Sequence, residues 1–384
     1  MDKAPHIFSF DKTGLAAHLK QAGLQAFRAK QLWRQVYVRG NLDINTMTDF
    51  SLQDREKLAE IIDFSPPQVS VEQRAKDGVI KWLLKLHDGH EVEAVFIPEE
   101  NDGYWRGTLC VSSQIGCTLS CRFCHTGTQA LARNLTADEI IAQVYNARTV
   151  LGDWANEKRK LTNIVFMGMG EPLYNIDNVS AAVETLMDAD GIALGSRKIT
   201  ISTSGMVDNL PRIGELGVNL AVSLHAPNND TRTQIMPINN KWPLEKLMAA
   251  IRAFPLKERR RVTWEYVMLD GMNDSVQHAK ELKRLIEGIP SLVNIIPFNE
   301  WPGSPFKCSQ PETIEAFAEV LRKAGISVTV RKTRGEDILA ACGQLRTESG
   351  KKNTISLQYP SVVAQYGSEQ QKQKLKVRID EPVA

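Results

Sequence analysis

Hydrophobic residues follow one rhythm along the first hundred residues of the chain and a different one afterwards. Residues 11 to about 62 carry apolar side chains at helical spacing, with glycines between the runs. Residues 68–98 instead contain two short apolar runs on either side of His87-Asp88-Gly89, which predicts a small β-hairpin. We therefore expect a small accessory domain over residues 1–98, helical at first and then β.

From Thr108 onward, short apolar runs alternate with amphipathic segments of helical length. The runs are TLCVSS, NIVFMG, KITISTSG, NLAVSLHA, RVTWEYVML and VNIIPFN, followed by a helix at 311–324 and a last strand, ISVTVRK. The segments between them are residues 136–151, 178–189, 208–216, 244–254 and 275–288. Strands that alternate with helices pair in parallel, and six units are too few for a closed eight-fold barrel. The pattern predicts an α/β fold, a partial (βα)6 barrel over residues 103–341, with functional side chains at the carboxyl ends of its strands.

The last predicted unit, residues 342–384, is a loop around Cys342 followed by a tail rich in Gln, Lys and Ser. Its weak periodicity predicts loose order. The whole chain of 384 residues carries a formal net charge of only +2, but from Arg322 onward 12 Lys and Arg stand against 6 Asp and Glu. Such a basic end suits a polyanionic partner, and a solubilising tail explains it equally well.

The composition is that of an ordinary globular protein, 42% hydrophobic and 24% charged. No run approaches the ~20 apolar residues of a membrane span, and the first residues lack the apolar core of a signal peptide. We expect a cytoplasmic protein. In that reducing compartment, the six cysteines are better explained as metal ligands or reactive thiols than as a disulfide framework.

The strongest chemical signal is a C-x-x-x-C-x-x-C motif, Cys117, Cys121 and Cys124, just after the first barrel strand. Three thiolates this close in sequence can hold one iron–sulfur cube, and a [4Fe–4S] cube then keeps one iron free. That iron can chelate an amine and a carboxylate, as offered by the methionine end of S-adenosylmethionine. Zinc is the alternative, but a structural zinc site normally has a fourth protein ligand, and His125 adjoins Cys124 too closely to complete it.

The motif resembles the radical S-adenosylmethionine superfamily, and the chain as a whole resembles one family within it. This family is the adenosine C2 methyltransferases of 23S ribosomal RNA, which also act on transfer RNA. The resemblance runs from about Phe27 to Leu345 and rests on CVSSQIGC, MGMGEP, STSG, SLHAPN, PIN, YVMLDG and RKTRGEDILAACGQL. It implies a [4Fe–4S] cluster and S-adenosylmethionine as cofactors, and it implies as targets an adenosine of the peptidyl transferase centre and the adenosine next to the anticodon.

The resemblance also implies which residues contact S-adenosylmethionine. They lie at successive strand ends: Gly170, Glu171, Ser202, Ser223, Leu224, His225 and Asn299. Taken singly, such residues are more typical of strand-to-helix turns and loop caps. Their shared position downstream of the cysteine motif is what favours a cofactor pocket.

Three further roles follow from the resemblance. An adenine carbon between two nitrogens is electron-poor, so it cannot attack a sulfonium methyl group and must instead accept a radical. Cys342 is implied to take a methyl group from one cofactor molecule and then lose a hydrogen atom to a radical derived from a second. Cys110 is implied to release the product by attacking the sulfur of Cys342, which leaves a transient disulfide bond, and Glu93 to be the general base. From the residues alone, both cysteines could be buried apolar side chains and Glu93 an exposed strand residue; Cys308 fits no role.

The implied partners are 23S rRNA, tRNA and a flavodoxin-like one-electron reductant, with no membrane, and we expect a monomer. Basic side chains are the candidate RNA contacts: Arg331, Lys332, Arg334, Lys257, Arg259, Arg260, Arg261 and those interleaved with aromatic residues in the N-terminal helices. A charged outer face of a packing unit explains the N-terminal set at least as well. Two other functions stay open: a methyltransferase of the same architecture specific for adenosine C8, and a non-catalytic, metal-stabilised RNA-binding protein.

Overall fold

The computed structural model of the protein describes residues 4–101, 104–154 and 158–345. The predicted loose tail after Leu345, with most of its basic charge, lies outside the described residues.

The N-terminal region forms three helices, as the helical spacing predicts. They are α1 (Lys12–Gln21), α2 (Phe27–Tyr37) and α3 (Leu52–Ile61). The Asp11 carboxylate caps α1 by accepting the amide of Gly14. Just before α1, the ring of Phe8 packs on Tyr145 of the barrel with 5.1 Å between ring centroids. The helical module is therefore fixed to the outside of the barrel.

The hairpin predicted over residues 68–98 is present, but it belongs to a larger antiparallel unit. Strands β1 (Gln68–Arg74), β2 (Ile80–Lys85), β3 (Glu91–Asn101) and β4 (Tyr104–Cys110) pair in sequence order, each antiparallel to the next. Because β4 is also the first barrel strand, the accessory strands continue the main sheet. Two short strands that follow, β5 (Gln114–Ile115) and β6 (Arg133–Asn134), pair separately and enclose the loop that carries the three motif cysteines.

The remaining strands pair in parallel, one after another along the sheet. They are β7 (Leu161–Phe166), β8 (Ile199–Thr203), β9 (Asn219–Ser223), β10 (Val262–Met268), β11 (Ser291–Pro297) and β12 (Ser327–Val330). The order β1-β2-β3-β4-β7-β8-β9-β10-β11-β12 places β12 at one edge, and among the described residues β12 pairs with β11 alone. The barrel is open, and the predicted partial (βα)6 architecture is confirmed.

Helices accompany the parallel strands: α4 (Ala137–Val150), α5 (Ile176–Met187), α6 (Leu210–Leu216), α7 (Asn229–Ile235), α8 (Leu244–Ala253), α9 (Val276–Leu285) and α10 (Pro311–Lys323). All but α7 coincide with predicted segments. Helix α7 escapes prediction because its seven residues, NDTRTQI, contain a single large apolar side chain and so have no periodicity. None of the described helices has both the length and the apolar character that crossing a lipid bilayer requires.

Candidate active site

The motif cysteines and the predicted cofactor residues meet at the carboxyl ends of the barrel strands. One cavity there is lined by the three cysteines and by most of the predicted contacts: Cys117, Cys121, Cys124, Gly170, Glu171, Ser202, Ser223 and His225. Leu224 is fully buried and does not line this cavity, and its amide and carbonyl oxygen are hydrogen-bonded to Glu265 and Arg232. Asn299 lines a second, adjoining cavity.

The loop that carries the cysteines depends on two close backbone approaches. At Gly116, φ is +76°, and a Cβ atom there would lie 2.3 Å from the carbonyl oxygen of Ala130. A Cβ atom at Gly127 would lie 2.6 Å from the carbonyl oxygen of Cys121. These two contacts fold the loop back on itself, so that its three thiols face one space. The amide of Leu119 donates to the Sγ atom of Cys117 at 3.3 Å, as backbone amides do to ligating thiolates.

Burial raises the pKa of all three thiols, that of Cys121 to about 12, and the nearness of the other thiols raises it further. Three buried thiolates are costly without a positive charge between them. Iron supplies that charge, and thiolates that share one cavity and receive backbone N–H groups fit an iron–sulfur cluster.

The turn after β7 brings backbone against this loop through two glycines. A Cβ atom at Gly168 would lie 2.7 Å from Ser112 Oγ, and one at Gly170 would lie 2.5 Å from the Cβ of Gln114. Next in sequence, Glu171 is buried, and its Oε2 atom accepts the amide of Ser204 at 2.7 Å. Burial raises the pKa of Glu171. This carboxyl group therefore ties the turn after β7 to the turn after β8 and shapes the cavity wall.

His225 enters the wall in the left-handed backbone region, with φ of 58°. Its Nδ1 atom accepts the amide of Val267 at 3.0 Å, so the imidazole is neutral with its proton on Nε2. Burial lowers the pKa of His225 to about 3, and the nearby Arg232 adds to this effect. The ring is thus a fixed, uncharged part of the cavity wall, 4.6 Å from the Phe123 ring between centroids.

The second cavity adjoins the first and brings together the two cysteines that were predicted to be reactive. Cys110 at the end of β4, Cys342 and Asn299 all line it. Burial and, to a smaller extent, the neighbouring Cys342 thiol raise the pKa of Cys110 to about 12. The side-chain amide of Asn299 donates to the carbonyl oxygen of Cys342 at 3.1 Å. Asn299 therefore positions the Cys342 backbone at the junction of the two cavities.

The segment that carries Cys342 is anchored at both ends. Beyond the cysteine, the amide of His125 donates to the Gly343 carbonyl oxygen at 2.7 Å, and Thr126 Oγ1 donates to that of Leu345 at 2.6 Å. Before it, the amide of Gly335 donates to Asp77 Oδ2 at 3.0 Å. Gly335 and Gly343, with φ of 67° and 82°, thus mark the ends of a short stretch held by the cysteine loop and by the β1–β2 turn.

Glu93 lies on β3 beside the second cavity and does not line it. Its carboxylate is buried, and its Oε1 atom forms an ion pair with Lys81 Nζ at 3.1 Å. Lys81 also donates to the Leu339 carbonyl oxygen at 3.4 Å, within the segment that carries Cys342. Sequence reasoning gave Glu93 no partner, because cross-strand pairing depends on a register that the sequence does not reveal.

The structure places the predicted RNA contacts in different surroundings. Arg331 is half-buried and lines both cavities, and Arg334 donates to Asp77 Oδ2 at 2.9 Å; Lys332 is exposed. The basic residues from Lys257 to Arg261 precede β10, so they lie at the amino end of the barrel, opposite the cysteines. In the N-terminal helices, basic residues form the ion pairs Arg28–Asp54, Lys30–Asp190 and Arg39–Asp49. That arrangement supports the interpretation as a charged outer face.

Sequence analysis missed Glu265 and the role of Arg331 in the cavity wall. Glu265 is buried on β10, lines the first cavity and accepts a hydrogen bond from Asn294 Nδ2 at 2.7 Å. Burial raises the pKa of the Glu265 carboxyl group, and the positive charge of Arg331 partly offsets this rise. A signal was available, because an acidic residue inside the apolar run RVTWEYVML is unusual for a buried strand.

Comparison with known proteins gives these residues a context. Residues 111–283 match the model of the Radical SAM superfamily, and residues 6–63 match that of the Ribosomal RNA large subunit methyltransferase N-terminal domain. The dual-specificity RNA methyltransferase RlmN of Rhodospirillum rubrum is 54% identical over 349 residues, which are 90% of this chain and 81% of that protein. The protein of the same name from Phenylobacterium zucineum is 52% identical over 90% of this chain and 92% of its own.

A solved structure supports the same relationship. The crystal structure of a radical SAM methyltransferase from Sphaerobacter thermophilus shares 41% sequence identity and superposes with a TM-score of 0.83. The alignment covers 89% of this chain and 99% of that chain.

Proposed function

The chain belongs to the radical S-adenosylmethionine family of dual-specificity RNA methyltransferases, and we propose that it methylates carbon 2 of adenosine in 23S rRNA and in tRNA. The observation that carries this proposal is the pair of adjoining cavities with Cys342 at their junction. One cavity contains the cluster cysteines and the other contains Cys110. A single sulfur atom at Cys342 can therefore face first a cofactor and then a substrate base.

The cofactors are a [4Fe–4S] cluster and S-adenosylmethionine, which fit the first cavity. Cys117, Cys121 and Cys124 are the proposed cluster ligands. The cluster, when bound, supplies the electron that cleaves S-adenosylmethionine to a carbon-centred oxidant. The backbone at Gly170 and Glu171 and the side chains of Ser202, Ser223 and His225 form the wall against which S-adenosylmethionine is oriented.

Cys342 carries the methyl group in the proposed reaction. Its thiolate forms a bond to the methyl carbon of S-adenosylmethionine while the sulfonium bond to that carbon breaks, and S-adenosylhomocysteine leaves. After a hydrogen atom is removed from this S-methyl group, the resulting carbon adds to the adenine ring, which joins enzyme and RNA covalently. Because the Cys342 sulfur borders both cavities, it can serve both steps.

Cys110 and Glu93 carry out the last steps of the proposed reaction. Glu93 takes the proton from the reacting ring carbon, and the ion pair with Lys81 at 3.1 Å fixes the position of its carboxylate. As this proton leaves, the adduct also gives up its unpaired electron to a one-electron carrier. The Cys110 thiolate then attacks the Cys342 sulfur, so that a disulfide forms as the carbon–sulfur bond to the base breaks, and the freed carbon takes up a proton to become the methyl group. No disulfide bond joins Cys110 and Cys342 in the structure, as the first step of this reaction requires.

The second cavity is the proposed site of the target base. A base must leave its stack to enter this cavity. Exposed Lys332, next to the cavity, is available for a backbone phosphate. The motifs resemble the C2 family rather than the C8 family. Mass spectrometry of nuclease-digested RNA distinguishes the two, since it separates 2-methyladenosine from 8-methyladenosine.

The central test replaces Cys342 by Ala in anaerobically reconstituted protein, with Cys308→Ala as the matched control. Cys308 lies half-buried outside both cavities. We expect Cys342→Ala to reduce formation of 2-methyladenosine by roughly 10³-fold or more, while iron content and cluster absorption stay unchanged. Cys308→Ala should methylate RNA like the wild type. Methylation at the normal rate by Cys342→Ala contradicts the proposal.

We also propose a reductant, an oligomeric state and a location in the cell. A low-potential one-electron donor of the flavodoxin class is the proposed reductant, since the cluster has to be reduced before each radical is formed. We propose a monomer that works in the cytoplasm, where ribosomal and transfer RNA are made.

A further inference from the structure

Arg331 enters the barrel from its open edge. It directly follows β12, and its amide donates to the Ile295 carbonyl oxygen at 2.8 Å, which extends the parallel pairing with β11 by one residue. This fixed backbone directs its side chain inward, where it lines both cavities. Among the described residues, two arginines line a cavity together with Cys342, namely Arg331 and Arg334. Arg334 is bound to Asp77.

The guanidinium group of Arg331 contacts the sulfur atom of Cys342. Its Nη1 atom lies 2.9 Å from Sγ, which is a short distance for a nitrogen–sulfur hydrogen bond. Cys342 has the largest effect on the pKa of Arg331 and raises it. Burial lowers this pKa, and the negative charges of Glu265 and Cys110 raise it. The arginine therefore stays charged at every pH at which the protein folds.

From this contact we propose that Arg331 holds Cys342 as a thiolate, aimed at the junction of the two cavities. The inference rests on the proposed function of Cys342 as the methyl carrier. A thiolate, unlike a thiol, is the nucleophile in displacement at a sulfonium methyl group. The thiol proton goes to solvent, the guanidinium compensates the negative charge left on sulfur, and the sulfur lone pair forms the bond to the methyl carbon.

Three basic side chains line the second cavity with Cys342, and Arg331 is the one with a hydrogen bond to its sulfur, since Lys332 is exposed and Arg334 is bound to Asp77. The nearby thiols of Cys110 and Cys124 repel a thiolate at Cys342 when they are themselves charged, as does Glu265 in the first cavity, whereas His225 there is neutral. Glu265 on β10, held by Asn294, adds a negative charge near Arg331 in the first cavity.

The test measures the thiolate directly, in the anaerobic holoenzyme and without RNA. Alkylation of Cys342 by iodoacetamide is followed by peptide mass spectrometry from about pH 6 to about pH 9, a range that spans an ordinary thiol. We expect Arg331→Met to move the midpoint of alkylation upward by about one pH unit or more. Arg331→Lys should restore part of the shift, because the charge is kept and the planar fork is lost. Cys308 serves as an internal reference thiol.

A second measurement follows transfer of the methyl group from S-adenosylmethionine to Cys342 without reductant. The loss of a hydrogen bond to a charged group typically changes an equilibrium or rate constant by about tenfold to a hundredfold. We therefore expect Arg331→Met to slow this single methyl transfer by that factor. Arg322→Met removes the same charge from exposed helix α10 and should leave both the alkylation midpoint and the transfer rate unchanged.

An unchanged midpoint and an unchanged transfer rate in Arg331→Met overturn the inference and leave the proposed function intact. If the wild-type Cys342 never acquires a methyl group, the proposed function fails, and the alkylation midpoint still decides the role of Arg331. Should Arg331→Met lose the fold or the cluster, Arg331→Gln, which is neutral and keeps its polar groups, decides by the same two measurements.

Discussion

His225 illustrates how one residue couples the cavity wall to the stability of the barrel. Its Nδ1 atom accepts the Val267 amide, and its carbonyl oxygen accepts the side-chain amide of Asn273 at 2.7 Å. The left-handed backbone at His225 is a conformation that few residues other than glycine and asparagine tolerate well. The bond from the Val267 amide requires a neutral imidazole, because a protonated Nδ1 atom cannot accept the amide.

The lowered pKa of His225 predicts a specific pH dependence of stability. The folded protein binds a proton at this residue only near pH 3, and the unfolded chain binds it near ~6.5. As the pH falls below ~6.5, the unfolded state gains the proton first, so the free energy of unfolding decreases by up to about 1.4 kcal/mol per pH unit. Above ~6.5 the residue makes no pH-dependent contribution.

The measurement compares urea unfolding of the wild type and of His225→Asn between about pH 7 and about pH 4.5. Asparagine tolerates the positive φ, and its side-chain oxygen can accept the Val267 amide without titrating. We expect the free energy of unfolding of the wild type to fall more steeply with acidification than that of the variant. Parallel pH profiles for the two proteins would mean that His225 is not held neutral.

Sequence reasoning reached some site residues and missed others for a physical reason. Cys117 and its two partners were found because a metal loop is local, so that its spacing is written in consecutive residues. Arg331 was assigned to RNA because the sequence RKTRG contains no sign of which basic side chain points inward. Its direction is set by the parallel pairing of β12 with β11, and that pairing joins distant parts of the chain. The Lys81–Glu93 ion pair was missed for the same reason.

At the scale of elements, the segment from Gly335 to Leu345 acts as a strap across the barrel mouth. One end is held by the β1–β2 turn, where Asp77 accepts Arg334 Nε and the Gly335 amide. The other end is held by the loop of the cluster cysteines. Strand alternation in the sequence predicted β4 and β7 to β12, whereas the strap and its anchors follow no periodic pattern and could not be predicted.

Removing the first anchor should loosen the strap without unfolding the barrel. In Asp77→Ala, the Gly335 amide and the Arg334 guanidinium lose their acceptor, so amides of residues 335–342 should exchange with deuterium roughly tenfold faster. Hydrogen-exchange mass spectrometry measures this by peptide. Asp177→Ala, which breaks the exposed Asp177–Arg212 pair on α5, is the matched control and should leave the strap unchanged. Equal exchange of the strap in both variants would show that the Asp77 contacts do not hold it.

At the scale of the whole molecule, the reaction site occupies the opening of the barrel. The sheet runs from β1 to β12 in one piece, and the barrel proper begins at β4 and ends at β12. Cys110 ends β4, and Arg331 follows β12, so the two edges of the opening contribute one group each. The strap then places Cys342 between them. A closed barrel would leave no room for an RNA base at this position.

Hydrogen bonds join the cysteine loop to the strap, and they predict that a cluster bound by the loop stabilises the strap as well. His125 and Thr126 follow the ligand Cys124 directly, and they hold the strap at Gly343 and Leu345. When the cluster is removed by anaerobic chelation, the buried thiols take up protons, the loop loses its central restraint, and both loop and strap should become less protected. Deuterium exchange of residues 117–128 and 339–345 should therefore accelerate together, while that of α10, which packs on α9 and β12 away from the site, should not change. Acceleration in the loop alone would show that the strap is held independently of the cluster, by Asn299, Glu300 and Asp77.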